Sequence, residues 1–162
     1  MIQRYGVVSV AVLLLIPFYL AGQKASLPQQ RTTPSEMQWP KTPANQAGSA
    51  MRPGTETLFV LSDGKSPELY SMIFKIPANT VIPPHSHPDN RSCFVLSGLW
   101  YFGYGSVRSE AGLKALPPGS HYTEPAGTAH FAGTQGQEAV LECTAVGPAG
   151  TTFLNPADAP KP

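Results

Sequence analysis

The chain has 162 residues, 13% of them charged, and a formal net charge of +1. So even a balance makes no basic or acidic field and excludes nucleic acid as an expected partner. Eighteen prolines and fifteen glycines are too many for a helical protein and suit short strands joined by turns.

Arg4 precedes an uncharged, mostly apolar run from Tyr5 to Gly22. A charged n-region followed by an apolar h-region is the order of a signal peptide. Cleavage is expected near Leu20-Ala21-Gly22, so residues 1–22 are read as an export signal and the mature chain as periplasmic or secreted. Left uncleaved, residues 5–22 would be a membrane anchor. From 23 to 53 the chain is rich in Pro, Gln, Ser, Thr and Ala without an apolar period. It reads as a flexible linker, with Met37 and Trp39 able to dock on the domain that follows.

That domain is expected over residues 54–157, with a tail at 158–162. Apolar runs at Glu56–Leu61, Leu69–Ile76, Cys93–Leu96, Trp100–Gly103, Tyr122–Glu124, Ala129–Ala132 and Ala139–Val146 read as strands. Between them lie turn signals such as Ser62-Asp63-Gly64, Pro77-Ala78-Asn79, Ser97-Gly98 and Pro125-Ala126-Gly127. Only Ser109–Leu116 suits a short helix. Many short strands predict an all-β sandwich or barrel. Phe94, Trp100, Phe102, Tyr122 and Phe131 are expected in its core. Cys93 and Cys143 are either a disulfide or two buried thiols.

The chemistry centres on histidine. His85-Ser86-His87 on a strand would present two imidazoles on one face, a clamp for a divalent transition metal. His130 follows the turn at Pro125-Ala126-Gly127, and a barrel could bring it to the first two. His121 has no such context, and Asp89 and Asn90 read as turn residues, with Asp89 an outside oxygen ligand.

In these residues the chain resembles the cupin family. The first motif of that family runs Gly, His-x-His, Glu, Gly, and Asn79, His85, His87, Arg91 and Gly98 stand at those places. The second runs Gly, Pro-x-Gly, His, Asn, and here Gly119, Pro125, Gly127, His130 and Thr134 do. The resemblance implies an all-β double-stranded β-helix, or jelly-roll barrel. It also implies a metal site of His85, His87 and His130 for Fe, Mn, Ni, Cu or Zn. Arg91 departs from the pattern, because a guanidinium stands where the family has a ligating Glu and cannot itself bind a metal. Glu124, just before the second turn, could replace that carboxylate, pair with Arg91, or lie on the surface.

The implied activities are those of a metal-dependent dioxygenase, isomerase or lyase acting on a small molecule, with Glu124 or Tyr122 moving a proton. Arg91, Cys93 and Phe131 are pocket candidates. The other reading is a non-catalytic domain that binds or senses a small carboxylate through Arg91. The resemblance also puts Cys93 and Cys143 in one sheet, where they could pair, and leaves homodimerisation through sheet edges open.

Overall fold

A computed structural model of the chain describes residues 26–40 and 52–159. The export-signal reading of residues 1–22 lies outside them. Ten strands follow in order: β1 (Glu56–Phe59), β2 (Leu69–Ile76), β3 (Val81–Ser86), β4 (Arg91–Ser97), β5 (Trp100–Tyr104), β6 (Lys114–Leu116), β7 (His121–Glu124), β8 (His130–Gly133), β9 (Ala139–Val146) and β10 (Thr152–Phe153). They make two five-stranded sheets, β1-β2-β9-β4-β7 and β10-β3-β8-β5-β6. The strand pairs are antiparallel. This is the jelly-roll barrel that the resemblance implies, and one of the all-β forms that the many short strands predict.

The core lies between the sheets. Tyr70, Phe74, Val95, Leu141 and Cys143 come from the first sheet and Ile82, Trp100, Phe102 and Ala132 from the second. In β4 the burial alternates strictly, with Arg91, Cys93 and Val95 turned in. Phe94 therefore points out; it is 44% exposed and packs on the His121 ring instead of joining the core. Cys93 faces Cys143 across β4 and β9. They form a buried disulfide with Cα atoms 4.2 Å apart.

Two local expectations change. Ser109–Leu116 is not a helix: one 3-10 turn, Glu110–Gly112, precedes strand β6. Gly112 weakens helix propagation at that point, and β6 gains its hydrogen bonds by pairing with β5. The second change is β3, which contains Pro83 and Pro84. Proline removes ladder donors, so β3 reads poorly as a strand. The fold accommodates it with a register shift between Ile82 and His85 against β8, as a bulge does.

Turn positions behave as their residue types require. Asn79 has φ 57°, the left-handed conformation that Asn tolerates where the resemblance places Gly. Gly98 has φ 77°, and a Cβ there would collide with the Glu138 carbonyl. Of the segment before the barrel, residues 26–40 lie against it. Gln30 Nε2 donates to the Val60 carbonyl, and Lys75 Nζ sits 3.7 Å above the Trp39 ring.

Candidate metal centre

The β3 bulge and the close pairing of β3 with β8 bring the three histidines together. His85 and His130 are cross-strand partners, and His87 follows β3 by one residue. All three are buried, at 3%, 3% and 1% exposure. One nitrogen from each lies within 4.8 Å of the others, a group that could hold a metal ion.

The opposite ring nitrogens fix which atoms face the centre. His85 Nδ1 lies 2.8 Å from the Pro83 carbonyl oxygen. His87 Nδ1 lies 2.6 Å from that of Gly150, and His130 Nδ1 lies 3.0 Å from that of Thr128. A carbonyl only accepts, so in each ring Nδ1 carries the proton and Nε2 of the neutral ring is a lone pair. Burial, and then the neighbouring rings of His130 and His87, push His85 down to about 3. Burial likewise lowers His130, against the pull of Glu124. Neutral imidazoles with a backbone-bound Nδ1–H are what a transition metal requires. His130 Nε2 is buried and has no hydrogen-bond partner, an open valence that an ion would fill.

The first sheet supplies charged groups. Glu124 is 8% exposed and turned inward, so it is not a solvated surface residue. Its Oε2 lies 3.2 Å from His87 Nε2, and its Oε1 lies 3.8 Å from His130 Nε2. Burial alone would raise its pKa. In the metal-free site a hydrogen bond donated by His87 with its second proton, together with the charges of His87 and Arg91, outweighs that and holds it down at about 2.

Arg91 faces Glu124 across β4 and β7, with Nη1 3.7 Å from Oε2 and 3.2 Å from His87 Nε2. Its Nε and Nη2 donate to Asp89 at 2.9 and 3.3 Å, and Nη2 also donates to the Gly150 carbonyl at 3.1 Å. The fork that could grip a small carboxylate is thus taken by Asp89. Asp89 also accepts the Tyr70 hydroxyl at 2.5 Å. It is a buried anchor, neither an open turn residue nor a member of the histidine group.

The three histidines, Arg91 and Glu124 line a cavity of about 20 Å³ together with Phe74, Trp100, Tyr122 and Leu141. That is room for one water-sized body. Burial, and then the charge of Glu124, push the Tyr122 hydroxyl well above its usual range, so it stays protonated. Phe131 is not on this wall. It alternates to the other side of β8 from His130, and its ring lies over Gly103 and Gly112. Of the disulfide it is Cys143 that lines the cavity, not Cys93. His121 is exposed and bonded to Ser92. Tyr70 and the Gly150 carbonyl are the contributors that sequence reasoning missed, and Asp89, read as a turn residue or outside oxygen ligand, instead anchors Arg91. The only available signal was that Asp89 and Arg91 are two apart and could share a face.

No family model and no curated protein matches this sequence. Solved structures do match. The polyketide cyclase RemF from Streptomyces resistomycificus superposes with a TM-score of 0.59 at 20% identity, over 80% of this chain and 89% of that one. The DMSP lyase DddQ from Ruegeria pomeroyi DSS-3 gives 0.57 at 20% identity, over 75% of this chain; the match spans 63% of the lyase. An RmlC-like cupin from Shewanella frigidimarina gives 0.54 at 12% identity, over 74% and 92%. The fold is therefore that of the cupins, an all-β double-stranded β-helix, with a three-histidine group in its barrel.

Proposed function

We propose that the chain is a metal-dependent enzyme acting on a small molecule, with one divalent transition metal held by His85, His87 and His130. One observation carries this reading: three lone pairs, each aimed by a backbone carbonyl behind its ring, meet in a buried cavity. Such a donor set suits Fe, Mn, Ni, Cu or Zn. The ion would supply a Lewis acid and a place for dioxygen or a substrate oxygen.

The protein's own groups shape what can happen there. Phe74, Trp100 and Leu141 keep the wall apolar. Tyr122, held protonated, donates a hydrogen bond to a bound group and does not act as a base. The size of the cavity admits only the reacting end of a substrate. The neighbours named as a lyase and a cyclase support an enzyme by analogy of fold alone.

We also propose that the mature chain is exported. The support is the charged and apolar order of residues 1–22 and a disulfide, which persists in oxidising compartments.

Elemental analysis of protein purified without chelator tests the metal reading. About one equivalent of a single transition metal is expected. No uptake, even after incubation with each candidate ion, would sink it. Fractionation of cells expressing the full chain tests export, which fails if the protein stays in the cytoplasm with reduced cysteines.

A further inference from the structure

We infer that Glu124 is a fourth ligand, transposed by one strand from the position of Arg91, and that Arg91 is a positioning residue that holds it. The inference rests on the metal reading above and adds the residue that completes the donor set.

Proton accounting carries it. His87 Nδ1–H is committed to the Gly150 carbonyl, so in the neutral ring Nε2 is a lone pair, and a carboxylate oxygen lies 3.2 Å away. The other oxygen of that carboxylate lies 3.8 Å from the His130 lone pair. Between Glu124 and the two neutral rings electron pairs then face each other; the one donor that reaches His87 Nε2 is Arg91 Nη1, at 3.2 Å, and none reaches His130 Nε2. A doubly protonated His87 would satisfy the first contact but leave His130 Nε2 without a partner. One cation shared by the rings and Glu124 satisfies all of them.

Register explains the transposition. Arg91 and Glu124 are directly opposed in β4 and β7, where Cβ atoms lie about 4.5–5.5 Å apart. A carboxylate at either place therefore reaches the same part of the barrel. Two of the three guanidinium nitrogens are turned away from the histidines by other bonds. Asp89, itself fixed by Tyr70, takes Nε and Nη2 and balances the charge. The Gly150 carbonyl takes Nη2 as well. Only Nη1 is left toward the site, where it lies 3.2 Å from His87 Nε2 and 3.7 Å from Glu124 Oε2.

The test is titration of the folded, metal-free chain with Co²⁺, read by the visible absorption of the ion and by calorimetry. Glu124→Gln is expected to weaken binding by about 100-fold and to change the Co²⁺ spectrum. Returning the carboxylate to its other position, in Arg91→Glu with Glu124→Gln, is expected to recover at least about ten-fold of the loss. Arg91→Met is expected to weaken binding by about ten-fold, partly rescued by Arg91→Lys.

Wild-type uptake with an unchanged affinity and spectrum in Glu124→Gln overturns this inference alone. A wild-type chain that takes up no Co²⁺ overturns the metal reading and this inference with it. A folded double variant without recovery overturns the transposition. Arg91→Met within two-fold of wild type overturns the positioning role. Where the double variant does not fold, the Glu124→Gln comparison decides.

Discussion

On the β3–β8 side of the barrel the site residues are imidazoles, and the main chain holds each one, through the carbonyls of Pro83, Gly150 and Thr128. On the β4–β7 side they are charged, and other side chains hold them: Glu124 by Arg91, Arg91 by Asp89, Asp89 by Tyr70. A carbonyl is present whatever residue carries it and does not titrate. A chain of ion pairs depends on every member and on pH. The histidine half is therefore robust to most substitutions outside the rings, and the carboxylate half is not.

The largest expected effect falls on the first sheet, where the Cys93–Cys143 bond ties β4 to β9. Replacing both cysteines by Ser releases a crosslink of 50 residues separation, worth about 4 kcal/mol by chain entropy. Urea unfolding should show the loss, while metal affinity stays within a few-fold if the histidine side is independent.

Next is His130→Ala, which removes a carbonyl-aimed lone pair. Metal affinity should fall by about 100-fold, read by metal retained after dialysis. Thr128→Ala should leave retention unchanged, since the acceptor behind His130 is a backbone oxygen.

Acid distinguishes the halves more finely. Glu124 sits at about 2 when folded against 4.5 for the free group. A depressed folded value means that the unfolded chain takes up the proton first. The contribution of Glu124 to stability is thus complete above pH 4.5 and is lost as pH falls toward 2. In the metal-free protein, unfolding free energy should drop across that window. Glu124→Gln should flatten the drop, leaving the part due to Asp89, which Arg91 and Tyr70 hold low in spite of burial. An equal slope in the variant would break the contrast between the halves. The smallest effect is Trp39→Ala, which removes the ring beneath Lys75. It should cost about 0.5–1 kcal/mol in thermal unfolding and leave the site untouched.

Much of the barrel was legible because its turns carry Gly, Pro and Asn where the backbone needs them, and β2 and β9 match their expected bounds. Strand β3 was not, since Pro83 and Pro84 contradict strand propensity and only the neighbouring strands make the segment extended. Strand β10 has two residues, too few for any period. The histidines were readable from spacing. Arg91 and Glu124 stood out because each breaks an expected pattern. Tyr70 was hidden in an apolar run as an ordinary core aromatic. A carbonyl such as that of Gly150 has no signature, since every residue has one.

That carbonyl carries a consequence for how the protein is made. Gly150 lies after β9, and its oxygen accepts from both His87 and Arg91; Phe153, in β10, sits against His85. The site therefore stays unfinished until the segment from Gly150 through β10 has been made and laid across the barrel. On the proposed metal reading loading becomes a late event, and a truncation that removes Gly150 takes an acceptor from both His87 and Arg91.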